Sequence, residues 1–339
     1  MTSKKKNKQI GSLIIFILSI SVILAGCGKQ NNLQDSVVLS LTESEQDDFK
    51  RHAEKENSLT VDDVSSKDVG DDSPNELSAE GETKQTMNSI QTIEWDPAWT
   101  YADRSEIHSD SVTLYQTQED NRRNITIAVN AGHGTSGGES VQTPCHPDGT
   151  PKVTGGSTSK GSLTAMAVAG GTTLLDGTSE ADATLSLAKC FKEELLAAGY
   201  DVLMIRESED AQLDNIARTV FANNNAQGHI SLHYDSTADD KGAFYIGVPD
   251  ISSYRSMEPV ASYWQYHNEL GEALISGLEQ NDINVYGDGN VPLDLTQTSY
   301  STIPSIDIEV GDRASDHSEE MQRKIAKALV DGVNMLYGE

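Results

Sequence analysis

The sequence predicts an α/β protein: a single three-layer domain with a mainly parallel central sheet flanked by helices, preceded by a disordered tether. Three observations carry this. From Asn124 onward, short apolar runs alternate with stretches of helical periodicity, the order that builds a parallel sheet with crossover helices. Residues 28–94 hold 16 acids against 6 bases and few aromatics, a composition too polar and too charged to bury a core. The chain has 339 residues, enough for one sizeable domain with accessories.

Lys4, Lys5, Lys6 and Lys8 precede an apolar run over 13–24. A charged start and a short apolar stretch read as a secretory signal and not as a membrane span. The run ends in Leu24-Ala25-Gly26-Cys27, which resembles a bacterial lipobox, where the Cys is acylated and becomes the mature N-terminus. Residues 1–26 are therefore expected to be a lipoprotein signal peptide and Cys27 the lipid attachment site. Two acyl chains suffice for stable anchoring where one is marginal, so the expected location is the extracytoplasmic face of the cell membrane. Residues 27–94 are then a lipidated Cys and an acidic linker spanning roughly 45 Å. Losing 1–26 removes four lysines and no acid, so the mature chain is more negative than the −28 of the whole. That charge excludes nucleic acid bound through a basic face, and it leaves the anchor, not surface charge, to hold the protein at anionic lipid.

Cys145 falls in a loop and Cys190 in a helical pattern. No Cys-x-x-Cys spacing exists, which argues against a cysteine zinc site. Export permits a disulfide between the two, but Cys190 reads better as a small buried apolar residue. Trp95, Trp99, Tyr101 and Tyr115 mark 95–123 as an ordered N-terminal arm whose aromatics cover apolar surface of the main domain.

The main domain is expected over 124–339. A buried strand over 125–129 runs into the turn Asn130-Ala131-Gly132-His133-Gly134. A Gly/Ser/Thr-rich insertion over 135–178 follows His133 directly and so borders whatever His133 serves; its apolar 163–168 piece suggests a short helix. Its His146 reads as a surface histidine, with reach to a substrate as the alternative. Ser179 with Asp182 resembles a capping box, and the helix it opens runs to about 198 before Gly199. Glu180, Thr184, Leu187, Phe191 and Leu195 share one stripe, which aims Glu180 from the helix N-terminus at the end of the sheet. A strand over 200–205 and a helix over 213–227 follow. The strand over 228–233 puts His229, Ser231 and His233 on one face. His229 and His233 lie roughly 13 Å apart on a strand, too far to share an ion, so His233 at the strand end is the candidate ligand and His229 is structural. Then come a strand over 243–248, a helix over 257–281, short strand candidates over 283–286 and 291–296, a strand over 305–310 and a closing helix over 318–336. The last strand places Asp307 and Glu309 together on one face.

In open α/β sheets, sites form beyond the carboxyl ends of the strands. His133, His233 and Glu309 each sit at such an end, and Glu180 opens a helix that starts at the same edge. Taken singly, Glu180 also fits an ordinary first-turn surface residue and Glu309 a solvated strand-end carboxylate. Taken together, His, Glu and His are the ligand types of a catalytic zinc that keeps one position open, and Glu309 is the separate carboxylate such a site needs as general base.

Four segments carry a resemblance: Ile127-Ala128-Val129-Asn130-Ala131-Gly132-His133-Gly134, Glu180 opening a helix, Ile230-Ser231-Leu232-His233-Tyr234-Asp235, and Pro304-Ser305-Ile306-Asp307-Ile308-Glu309-Val310-Gly311. Over roughly 124–339 they resemble the zinc-dependent N-acetylmuramoyl-L-alanine amidases of the third amidase family. The resemblance implies Zn²⁺ held by His133, Glu180 and His233, with Glu309 as catalytic acid/base. It implies a peptidoglycan substrate cut between N-acetylmuramic acid and L-alanine of the stem peptide. Arg206 and Arg218 also fit the family's order, as structural ion-pair residues. Two departures stand out: Asn130-Ala131 where the family has Asp-Pro, and Gly311-Asp312-Arg313 where it has Gly-Phe. Both bear on substrate contacts more than on reaction class. The alternatives are an inactive or gated peptidoglycan-binding lipoprotein and a zinc peptidase acting on stem peptides. The presence of all four residues argues for an enzyme.

Overall fold

β-Branched and aliphatic residues recur in short runs along this chain, and the runs assemble into one eight-stranded sheet. A computed structural model describes residues 89–338. In chain order the strands are β1 (Ser89–Ile93), β2 (Val112–Gln116), β3 (Thr126–Ala131), β4 (Gln142–Pro144), β5 (Thr164–Met166), β6 (Asp201–Met204), β7 (Gly228–Asp235), β8 (Ala243–Gly247), β9 (Val285–Pro292) and β10 (Ser305–Asp312). The helices are α1 (Glu180–Ala197), α2 (Asn215–Asn225), α3 (Ser252–Arg255), α4 (Val260–Gln280), α5 (Thr296–Tyr300) and α6 (Glu319–Tyr337). The main sheet runs β1-β2-β6-β3-β7-β10-β8-β9, and β4 pairs with β5 in a separate small sheet.

The four central strands, β6-β3-β7-β10, are parallel throughout. Their apolar residues are buried on both faces, as helices on either side require. β2 joins β6 and β8 joins β10 antiparallel, so the sheet is mixed at its flanks and parallel where the strand ends converge. α1 and α4 both pack on α6, and α2 packs on short α5. Ala128 and Leu203 meet Ala217 and Phe221 of α2 in one core cluster. The expected mainly parallel sheet flanked by helices is the fold observed.

The arm is bound from two directions. Trp95 and Trp99 each stand edge-on to the buried Phe221 ring at 5.4 Å. Asp214, the N-cap of α2, is fully buried. One of its oxygens accepts the Ala217 N–H at 2.7 Å, closing the cap. The other accepts the N–H groups of Glu106 and Ile107 at 2.7 and 2.9 Å and the Ser105 hydroxyl at 3.0 Å. One carboxylate thus starts a helix and holds the arm.

The structure departs from the sequence reading in several places. The linker expected to reach residue 94 gives way to β1, which pairs with β2 along its whole length. β1 is an edge strand with most of its residues exposed, so no apolar alternation announced it. The 163–168 piece forms β5, not a helix, because its partner β4 lies across the insertion. The two short strands expected over 283–296 are one strand, β9, interrupted in pattern by Gly287 and Gly289, and α5 begins where the second was expected to end. β7 and β10 run on past His233 and Glu309 to Asp235 and Asp312. Cys145 and Cys190 are free and buried, so the permitted disulfide is absent. The signal peptide, Cys27 and the linker up to residue 88 lie outside the described residues. No helix among the described residues is long and apolar enough to cross a membrane.

If Phe221 seats the arm, Phe221→Ala should cost about 3–5 kcal/mol of stability and red-shift the tryptophan emission as Trp95 and Trp99 gain solvent. Thermal melting and fluorescence check this; an unchanged midpoint would mean the arm contributes nothing through that ring.

Candidate metal centre

β3 ends at Ala131, and the chain turns sharply at Gly132, His133 and Gly134. His133 has φ 64°, the left-handed region in which a non-glycine residue needs support from its surroundings. Two buried arginines supply it. Arg206 donates to the carbonyls of Ala131 and Gly132 at 3.1 and 2.9 Å. Arg218 donates to those of Ala131 and His133 at 3.0 and 2.7 Å. Both are 1% exposed. The expected structural role stands on different partners: backbone carbonyls of the turn take these hydrogen bonds, where ion pairs were expected.

Supported this way, the His133 ring donates from Nδ1 to the Ala169 carbonyl at 2.7 Å. That bond fixes Nδ1 as the outward donor and turns Nε2 toward Glu180 Oε1 at 2.8 Å and His233 Nδ1 at 3.1 Å. Gly132 is required beside it: a Cβ there would stand 2.3 Å from His233 Cε1.

Glu180 is the first residue of α1, whose N-cap Ser179 accepts the Asp182 N–H at 3.1 Å. Only 4% of it is exposed. Its Oε2 accepts the Thr172 N–H at 2.8 Å and its Oε1 the Tyr234 N–H at 3.2 Å. Burial opposes its charge, but hydrogen bonds with His133 and His233 outweigh that and hold the carboxyl well below its usual range. The helix N-terminus favours the same charged form. Across the site, Gly171 has φ 83°, and a Cβ there would lie 2.8 Å from His133 Cδ2 and 3.1 Å from Glu180 Oε2.

His233 comes from β7 and meets the other two through Nδ1, 3.0 Å from Glu180 Oε1. Burial lowers its proton affinity, but the Glu180 hydrogen bond and the charges of Asp307, Glu309 and Glu180 raise it to about 9. The donor atoms of His133, Glu180 and His233 lie within 4.8 Å of one another. Two imidazole nitrogens and one carboxylate oxygen, converging on one point at a pocket wall, fit the donor set of an open zinc site.

Glu309 is paired directly with His233 in the parallel ladder and lines the same pocket. Burial pushes its carboxyl up to about 8, with His233 opposing the rise and Glu180, Asp235 and Asp307 adding to it. Its Oε2 has no hydrogen-bond partner. Asp307, two residues earlier on the same face, is also raised by burial. Below them the floor is polar and satisfied. Arg218 donates to Asn130 Oδ1 at 3.1 Å, Asn130 donates to Ser231 Oγ at 2.8 Å, Ser231 donates to Gln297 Oε1, and Gln297 donates to Ser305 Oγ at 2.9 Å. His229 is fully buried with Nδ1 3.1 Å from that Ser305 hydroxyl, away from the three-residue cluster, as its strand position implied.

The insertion forms one wall of the pocket through residues such as Ala169, Gly170 and Thr172. It is anchored by a residue that sequence reasoning missed. Asp294, 2% exposed, accepts hydrogen bonds from Lys152 Nζ at 2.9 Å, from the N–H groups of Val153 and Thr154 at 2.5 and 3.1 Å, and from the Thr154 hydroxyl. His146 Nε2 lies 3.1 Å from its Oδ2. His146 is therefore neither at the surface nor turned to a substrate, because burial beside Asp294 gives its ring a charged partner. No local pattern marks a contact between residues about 140 positions apart.

A family model described as N-acetylmuramoyl-L-alanine amidase matches residues 127–335. Among solved structures, the fold is similar to the N-acetylmuramyl-L-alanine amidase Ami1 from Mycobacterium smegmatis, at 19% identity and TM-score 0.53, over 65% of this chain and 99% of that one. It is also similar to the apo form of Ami1 from Mycobacterium abscessus, at 18% identity and TM-score 0.50, over 63% and 99%. No curated protein matches this chain.

The Asp294 anchor gives a pH dependence. Burial disfavours its charge, but hydrogen bonds from His146, Thr154, Val153 and Lys152 prevail and hold the carboxyl below the usual carboxylate range. The folded state then binds fewer protons than the unfolded one, so its stabilisation is complete above about pH 4 and fades as pH falls through the depressed value. Asp294→Asn should cost about 3–5 kcal/mol at neutral pH and flatten the stability profile below about pH 4. Melting curves across that range test it; parallel curves for the two proteins would contradict it.

Proposed function

The chain belongs to the N-acetylmuramoyl-L-alanine amidase family, and from that premise we propose a zinc-dependent peptidoglycan hydrolase that cleaves the amide between N-acetylmuramic acid and L-alanine of the stem peptide. The observation that carries this reading is the convergence of His133 Nε2, Glu180 Oε1 and His233 Nδ1, with Glu309 in the same pocket. His133, Glu180 and His233 are the proposed zinc ligands. Zinc held there supplies Lewis-acid polarisation of water and of the scissile carbonyl.

Glu309 is the proposed general base and acid. It takes a proton from the attacking water as the new C–O bond forms, and it returns that proton to the amine nitrogen as the C–N bond breaks. The products are a lactyl carboxylate and a free L-alanine amine. Taking the water proton needs the ionised carboxylate, and the burial that raises the Glu309 carboxyl strengthens its hold on that proton until it passes to the amine. Glu180 keeps its charge through the hydrogen bonds and helix N-terminus already described, as an anionic ligand must. The Ala169 carbonyl fixes the His133 tautomer, leaving Nε2 available. The insertion walls one side of the cleft.

The N-terminus supports a location. Cys27 carries the lipid, the acidic linker is a tether, and the catalytic domain works on the wall from the extracytoplasmic face of the membrane.

Incubation with purified peptidoglycan, followed by mass spectrometry of the soluble products, tests the activity. Intact stem peptides with a free L-alanine amine should appear, vanish on chelation and return with added zinc. Glu309→Gln should lower the rate by about 10²–10⁴-fold while zinc content stays at one per chain. New carboxyl ends within the stem peptide would instead mark a peptidase. Zinc binding with no product would mark a gated or binding-only protein.

A further inference from the structure

We propose that Asp307 is the positioning residue of His233, accepting a hydrogen bond from its Nε2–H so that the Nδ1 lone pair is presented to the metal. This rests on the zinc reading above and extends it to a residue outside the ligand set.

The two histidines of the cluster face it through different nitrogens: His133 through Nε2 and His233 through Nδ1. In neutral imidazole, one nitrogen binds a metal and the other carries the proton, and an outer acceptor for that proton fixes both tautomer and ring orientation. For His133 the outer acceptor is in place, the Ala169 carbonyl at 2.7 Å from Nδ1. For His233 the outer nitrogen is Nε2, which faces Asp307 Oδ2 at 4.0 Å. The proposal requires this pair to close to hydrogen-bond distance in the zinc-loaded site.

Asp307 has the capacity to accept. Its Oδ1 is buried and without a hydrogen-bond partner. The side chain as a whole is 19% exposed, with Oδ2 on the His233 side, so the carboxylate keeps unused hydrogen-bonding capacity beside that ring. The strand register puts it in place: Asp307 pairs with Ser231 and Glu309 with His233, so the Asp307 side chain reaches His233 diagonally across the β7–β10 ladder. The two carboxylates of β10 therefore divide the work, Asp307 toward the outer nitrogen of a ligand and Glu309 toward the reacting atoms.

The test uses the full-length chain purified in detergent. Zinc affinity is measured by competition with a chromophoric chelator, and the visible spectrum is recorded after cobalt(II) loading. Asp307→Leu removes the acceptor; Asp307→Asn keeps one acceptor oxygen and the shape. Thermal melting establishes that each variant is folded. Asp307→Leu should bind zinc about 10–100-fold more weakly, with an altered cobalt spectrum, and Asp307→Asn should fall between it and wild type. If Asp307→Leu does not fold, a weakened affinity and shifted spectrum in Asp307→Asn carry the same conclusion. Wild-type affinity and spectrum in a folded variant, with the wild type binding one zinc, overturn this inference alone. A wild-type chain that takes up no zinc overturns the metal centre and this inference together.

Discussion

The parallel register of β3, β7 and β10 sets Ala131 beside Leu232 and His233 beside Glu309. Because side chains alternate faces along a strand, a slip of one residue would send His233 and Glu309 to opposite sides of the sheet. The register is held by buried apolar residues on the other face, where Ile230, Leu232, Ile306 and Ile308 are all fully buried. Hydrophobic packing thus fixes the position of groups that are themselves polar. Glu180 is added from a different element, and its two backbone contacts, to Thr172 and Tyr234, tie the start of α1 to both the insertion and β7.

The second constraint is the pair of buried guanidinium groups. A left-handed His133 beside two glycines has little intrinsic preference for one geometry. Arg206 and Arg218 bond the carbonyls of three successive residues of that turn and so fix where the imidazole points. Arg218 also reaches Asn130, which passes the connection to Ser231 by donating from its amide. An ionised Asp at position 130, the residue found in the resembling family, has no proton to donate there. The Asn at this departure has its own role in the floor of the pocket.

Much of this was readable from the sequence, and the boundary is physical. His133, Glu180, His233 and Glu309 were locatable because strand ends and helix starts leave strong local marks: a Gly-rich turn, a Ser cap, a change of period. The parallel core was readable for the same reason. Asp307 was visible as a neighbour of Glu309 on one strand face, yet its relation to His233 depends on cross-strand distances that no local pattern encodes. Asp294 and His146 were unreadable because their meaning lies in a contact across 148 positions. β1 escaped because edge strands need not bury a face. The roles assigned to Arg206 and Arg218 went to carbonyl groups because carbonyls leave no trace in a sequence.

Zinc-edge anomalous diffraction from crystals of the wild-type protein is the most direct measurement. One strong peak should lie within coordinating distance of His133 Nε2, the Glu180 carboxylate and His233 Nδ1, on the pocket side that Glu309 shares. A peak held by other side chains, or none at these three after zinc soaking, would contradict it.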